Sequence, residues 1–250
     1  MSFTAPQGFF KFLNRLERIV AYAQGKGYAR ATIGQEVNMV QSLLGTQPNL
    51  AIDVGGNVGE YTAELRRRNP ALEIHTFEPS ATNIKKLNAR FKDDSLVKLV
   101  PLALSDEAGL ATLFSNEPGS GMGSLTQRKL DHFDIAFDTN ETVKTIRFED
   151  YWKAQLNSRR VDMVKIDIEG HELTALKGFG SALPATKVIQ FEFGGTDIDT
   201  RTFFQDFWYL FKDEGFSIFR MTPFGLQRIT NYTERDECFV FTNFVAVNQR

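Results

Sequence analysis

The sequence predicts an α/β protein built on a mostly parallel seven-stranded sheet, with an antiparallel last strand and helices on both faces. Three observations carry that expectation. Short apolar segments alternate with helix-length segments from residue 50 onward, the alternation that a parallel sheet covered on both faces requires. Glycines at 55, 56 and 59 fall between the first apolar segment and the helical pattern after it. No linker splits the 250 residues into independent units, and a chain of that length can bury one sizeable core.

Taken in order, Phe9, Phe12, Leu13, Leu16, Ile19, Val20 and Ala23 recur at helical spacing, as do Ile33, Val37, Val40 and Leu44 after GKGYAR. Residues 1–45 are expected as an N-terminal helical extension. GTQPN then breaks the chain, and the sheet domain occupies 46–250. Strands are expected at 50–54, 73–77, 97–102, 161–168, 188–193, 217–221 and 239–247. Helices are expected at 60–68, 81–91, 149–156, 171–177 and 201–214. No helical pattern separates the last two strands, so a hairpin should place the last one antiparallel. NEPGSGMGS, 116–124, is expected to be a flexible loop because of its glycines.

Composition narrows the function. The net charge of −2 argues against a strong generic grip on nucleic acid. One cysteine, Cys238, allows neither an internal disulfide nor a multi-cysteine zinc site. No run of 18 apolar residues and no signal-peptide pattern is present, so a cytoplasmic protein without stable membrane insertion is expected. The 23 phenylalanines are mostly core, with some available to line an apolar mouth.

AIDVGGNVGEYTAEL, 51–65, carries a chemical signal. Glycine permits a tight turn and close approach of a ligand, and the following helix offers free N–H groups. The dinucleotide fingerprint G-x-G-x-x-G does not fit, because Asn57 and Glu60 occupy its later glycine positions. D-x-G-x-N-x-G does fit, with Asp53 inside the strand end. A pyrophosphate would be repelled by that acid. S-adenosylmethionine, which carries an ammonium and a sulfonium and no phosphate, would be attracted by it. Glu78 ends the next strand in HTFEPS, before Pro79, where a carboxylate can accept both ribose hydroxyls.

At this point AIDVGGNVGEYT, FEPSATNIKKL, VPLALSDEAGLATLF and MVKIDIEGHELTALKG, in that order, resemble the FkbM-type methyltransferases. The resemblance covers about residues 50 to 247 and implies a Rossmann-like class I methyltransferase domain dependent on S-adenosylmethionine. It implies transfer of methyl to a hydroxyl of a small molecule: a sugar, a glycoside or a polyketide or peptide natural product. Asp53, Gly55 and Gly59, with Gly56 and Asn57 in the same turn, would hold the methionine end. Glu78 and Pro79 would meet the ribose. Ser105 and Asp106 would lie near the adenine, and the GSGMGS loop near the acceptor. Outside the resemblance, the apolar stripe of the N-terminal helices, with Phe9, Phe12 and Leu16, is expected to close over the acceptor side.

VKIDIEGHE, 164–172, ends an apolar strand with Asp167, Glu169, His171 and Glu172. Methylation of an alcohol requires loss of the hydroxyl proton, and a positioned base contributes about 10²–10⁴-fold. His171, with an ordinary pKa of about 6.5, is the expected base. Asp167 would orient it and also reach the cofactor, or act as base itself. Glu192, ending VIQFEF, would support the same site. Lys165 should point to a neighbouring carboxylate. Glu169 and Glu172 also suit a helix N-terminus without any chemistry. Asp167, Glu192 and His171 could instead converge on a divalent ion such as magnesium, although no ligand spacing demands one. The rivals are an N-methyltransferase or nucleic-acid methyltransferase on the same fold, and a non-catalytic cofactor-binding module. KIDIEGHE, where base methylases commonly carry Asn/Asp-Pro-Pro-aromatic, disfavours the first. The two acids at strand ends disfavour the second. The oligomeric state stays open, a homodimer included.

Overall fold

The structure, a computed structural model, describes residues 7–28 and 33–250. The parts of the expected extension at 1–6 and 29–32 lie outside the described residues. Helices α1 (Gln7–Ala23) and α2 (Ile33–Leu44) precede strand β1 (Leu50–Val54). There follow α3 (Glu60–Arg68), β2 (Glu73–Phe77), α4 (Ala81–Phe91) and β3 (Val97–Val100). An insert contributes β4 (Ala103–Leu104), β5 (Gly109–Ser115) and β6 (Thr139–Ile146). The chain continues with α5 (Phe148–Gln155), β7 (Val161–Ile166), α6 (Glu172–Lys177), β8 (Thr186–Phe193), α7 (Thr196–Thr200) and α8 (Phe204–Asp213). It ends with β9 (Phe216–Thr222), β10 (Gly225–Ile229) and β11 (Thr242–Asn248).

The main sheet has the order β10-β9-β11-β8-β7-β1-β2-β3. β3, β2, β1, β7 and β8 pair in parallel, while β11 is antiparallel to both β8 and β9. This is the class I Rossmann-like methyltransferase arrangement. The expected count of seven strands is corrected to eight, because β10 folds back on β9 as an antiparallel edge. TPFGLQRIT reads as loop because Gln227 and Arg228 are exposed and, of the β10 residues, only Ile229 is buried. A second sheet, β4-β6-β5, was not expected either. β6 buries only Val143, so its sequence, TNETVKTI, shows little apolar alternation. The expected helix at 201–214 starts later, at Phe204, with α7 before it.

Alternation along β1 distributes the core between the two faces. Leu50, Ile52 and Val54 join Phe148, Trp152, Leu176, Phe207 and Phe211 from α5, α6 and α8. Ala51 joins Val37, Val40 and Leu44 of α2 and Tyr61 and Leu65 of α3 on the other face. α2 is therefore packed into the domain. α1 is different: it buries none of its residues.

The register sets the stage for a site. Val54 is paired with Phe77 and with Ile166, and Ile166 with Phe191. Gly55, Glu78, Asp167 and Glu192 consequently emerge along the carboxyl edge of four adjacent parallel strands. That edge is where open α/β sheets bind ligands.

Candidate active site

Two cavities meet at this edge. The larger, of about 280 Å³, lies between the main sheet and the insert. Glu78, Pro79, Ser80 and Asn57 line one side of it, Phe77, Leu102, Leu104, Leu113, Leu125 and Ile168 supply apolar wall, and His171 stands at its rim. The smaller, of about 180 Å³, is lined by Ile33, Glu36, Tyr61, Lys165, Glu192 and Asn243 among others. Gly55, Asn57, Gly121, Asp167 and Glu169 line both.

The glycine turn is set by sterics. Gly55 has φ +84°, and a Cβ there would stand 1.9 Å from the Asp167 carbonyl oxygen. A Cβ on Gly56 would stand 2.2 Å from Thr76 Cγ2. Asn57 follows with φ 45°, and its backbone N–H donates to Glu78 Oε2 at 2.8 Å. Ser80 N–H donates to the other oxygen, Oε1, at 2.9 Å. Glu78 is thus locked in the larger cavity's wall. Burial pushes its carboxyl up to about 6 despite those donors.

Not every expected residue reaches a cavity. Asp53 is fully buried and accepts from Thr62 Oγ1 at 2.6 Å, lining neither cavity. Burial raises its pKa, opposed by Lys165 and Thr62. Gly59 also lines neither cavity; a Cβ there would meet Phe91 and Leu87. Ser105 and Asp106 are likewise absent from both walls. Ser105 Oγ lies 3.1 Å from His171 Nε2 and 3.2 Å from Asp106 Oδ1, so this pair stands behind the histidine. Burial lowers the His171 pKa against the pull of Asp106, which leaves the ring neutral at pH 7. His171 is directed to Ser105 and the larger cavity, whereas Glu192 lines the smaller one. Among the described residues, no group of three His, Cys, Asp or Glu side chains is placed to share a metal ion. The expected loop at 116–124 lines the cavities rather than hanging free, tied by Ser124 Oγ to the Glu169 carbonyl at 2.8 Å.

The smaller cavity has an ionic floor. Lys165 Nζ donates to Asp167 Oδ2 at 2.9 Å and sits 4.9 Å from the Tyr61 ring centroid. Burial alone would lower its pKa, but Asp167, Asp53 and Glu36 hold it above the usual lysine range, so it stays charged. Gln190 Nε2 donates to Glu36 Oε2 at 2.7 Å, and Tyr61 OH donates to Gln190 Oε1. Burial, then Asp167 and Glu169, raise the Glu192 carboxyl well above its ordinary range. Lys165 toward a carboxylate was legible in sequence. Glu36, Tyr61, Gln190 and Asn243 were not, since they come from four separate elements.

The turn of KIDIEGHE is held from beneath. Glu169 and Gly170 take φ 56° and 95°. Glu172 Oε1 accepts from Ile168 N–H at 2.8 Å, so Glu172 is a buried structural clamp. Arg128, itself buried, donates to Glu169 Oε2 at 3.1 Å and to Asp199 Oδ2 at 3.3 Å. Arg128→Met should destabilise the fold by about 3 kcal/mol, the order expected when one partner of a buried pair is removed. Chemical denaturation measures it, and a loss under about 0.5 kcal/mol would contradict the assignment. Burial, then Asp167, push Glu169 to about 7 against Arg128. The folded state therefore keeps a proton that the unfolded chain has already lost, and this contribution to stability falls as pH rises through about 7. Glu169→Gln should gain stability relative to wild type between about pH 5 and about pH 8. A stability difference that is flat over that range would refute it.

Comparison with known proteins decides the family. The pattern of the Methyltransferase FkbM domain matches residues 53–218. The chain belongs to the FkbM methyltransferase family. Its fold and family are those of S-adenosylmethionine-dependent methyltransferases. It is 23% identical over 192 residues to the 2-O-methyltransferase NoeI of Sinorhizobium fredii, covering 73% of this chain and 78% of NoeI. It is 27% identical over 142 residues to Methyltransferase 1 of Beauveria bassiana, covering 51% of this chain and 57% of that one. The chain thus spans little more than half of that fungal relative. Among solved structures, an rRNA methylase from Streptococcus thermophilus superposes with a TM-score of 0.48 at 10% identity, over 89% of this chain and 99% of that one.

Proposed function

We propose that this chain is an S-adenosylmethionine-dependent O-methyltransferase acting on a hydroxyl of a polyhydroxylated small molecule, a sugar or glycoside. The observation that carries the reading is the pair of cavities with Asp167 in the wall of both. Bound S-adenosylmethionine supplies an electrophilic methyl on a sulfonium. The larger cavity fits it: the Glu78 carboxylate suits a ribose diol, the leucines and Phe77 suit an adenine, and Asp167 suits a cationic end.

The smaller cavity then takes the acceptor. Carboxylates, amides and an ammonium line it, a donor and acceptor set that matches several hydroxyls better than an apolar ring system. Glu192 is the base: it lines the acceptor cavity, and burial with Asp167 and Glu169 raises its carboxyl, so it binds a proton more readily than an ordinary carboxylate. Charged Lys165 holds Asp167 and lends positive potential to an oxygen that is losing its proton. His171 belongs to the cofactor side. The similarity to a 2-O-methyltransferase supports the hydroxyl assignment.

The test is a panel of acceptors offered with methyl-labelled S-adenosylmethionine: free sugars, glycosides, phenols, amines and RNA. Label is expected in an alkali-stable ether on a sugar or glycoside hydroxyl. Label confined to amines or RNA would overturn the reading.

A further inference from the structure

Helix α1 is not accounted for by this reading. Phe9, Phe12, Leu13, Leu16, Ile19 and Val20 are between 36% and 62% exposed, and the helix buries nothing. The expectation that Phe9, Phe12 and Leu16 close over the acceptor is therefore corrected: α2, through Ile33 and Glu36, lines that cavity, and α1 does not. At 3.6 residues per turn those six side chains share one arc of about 120°. The remaining arc carries Lys11, Arg15 and Arg18 against the single acid Glu17, together with the exposed Phe10 and Tyr22, in a chain whose net charge is −2. Positive charge is thus concentrated on this helix, on the side away from the arc of Phe9, Phe12, Leu13, Leu16, Ile19 and Val20.

We propose that α1 is an interfacial anchor that lays this apolar face into the headgroup region of an anionic lipid bilayer, parallel to its plane. A basic polar face opposite an aromatic and leucine face is the pattern such helices share, and long Lys and Arg side chains reach back to lipid phosphates while their stems cover apolar surface. A second copy of the chain fits less well. Phe9, Phe12, Leu16, Ile19 and Ala23 would form the seam, flanked by Leu13, Arg15, Val20 and Tyr22. Those flanks offer no opposite charges to set register, and the helix is shorter than the three to four heptads that such a pair needs. No helix among the described residues is long and apolar enough to cross a membrane, so the contact is with the surface.

The anchor would have a fixed place in the fold. After α1, Gly27 N–H donates to Thr242 Oγ1 at 3.2 Å and Lys26 Nζ to the Arg235 carbonyl at 2.9 Å, and Tyr28 is buried. The helix is therefore tied to the edge where β11 begins.

Flotation of the full chain with vesicles tests the proposal. Vesicles of phosphatidylcholine with about one quarter phosphatidylserine should bind about 10- to 100-fold more tightly than phosphatidylcholine alone, since each basic residue adds to attraction by an anionic leaflet. Phe12→Glu with Leu16→Glu should abolish binding to both. Lys11→Glu with Arg15→Glu and Arg18→Glu should remove the preference for the anionic vesicles. Thermal midpoints of all variants should stay at the wild-type value, because α1 buries nothing. Wild-type protein that stays out of the anionic vesicle fraction would overturn the proposal. So would equal binding to both vesicle types, or a dimer by light scattering that Leu16→Glu dissociates.

Discussion

Glu192→Gln should lower turnover by about 10²–10⁴-fold while leaving cofactor affinity within about twofold of wild type. The amide keeps the shape of the side chain and cannot accept the hydroxyl proton. Glu192 lines only the smaller cavity, so binding in the larger one is spared. The pH profile adds a second readout. Burial, Asp167 and Glu169 raise the Glu192 carboxyl, and the base works only when ionised. The wild-type rate should rise with pH as this group loses its proton, above the ordinary carboxylate range, and the variant should lack that limb. His171→Ala should behave differently, weakening cofactor binding and keeping the limb, because the ring lines the larger cavity and not the smaller one. A fully active Glu192→Gln would transfer the role to Asp167.

Glu78→Ala should weaken cofactor binding by roughly 10- to 150-fold, the equivalent of about 1.5–3 kcal/mol for hydrogen bonds to a charged group. Two effects add. On the proposed reading the ribose hydroxyls lose their acceptor, and the N–H groups of Asn57 and Ser80 lose theirs, which loosens the glycine turn. Glu78→Gln should lose less, since one amide oxygen still accepts. Calorimetric titration with S-adenosylhomocysteine reads both, and equal affinity in Glu78→Ala and wild type would remove Glu78 from the cofactor site.

Much of this site was legible in sequence because it sits at strand ends. A glycine that needs positive φ beside a buried strand, as at Gly55, leaves a local signature, and so do Glu78 and Asp167 one residue past apolar runs. Adjacency in sequence does not put Asp167 and His171 on the same pair of walls. Gly170 has φ 95°, and beyond it His171 lines only the larger cavity and meets Ser105, while Asp167 lines both. Asp53, expected at the methionine end, lines neither cavity and accepts from Thr62, because alternation along β1 points it inward beneath α3. The floor of the smaller cavity was hidden for another reason. Glu36, Gln190 and Asn243 are far apart in the chain and meet only when α2, β8 and β11 are placed side by side. The insert sheet was hidden because β5 and β6 expose most of their side chains, leaving little apolar pattern to read.

The central claim is that Asp167 divides a cofactor cavity governed by Glu78 from an acceptor cavity governed by Glu192. Titration of S-adenosylhomocysteine into Glu78→Ala and Glu192→Gln, side by side with wild type, tests it most directly. The account predicts a loss of at least about tenfold in affinity for Glu78→Ala and near wild-type affinity for Glu192→Gln. Wild-type affinity in Glu78→Ala, or a comparable loss in Glu192→Gln, would contradict it.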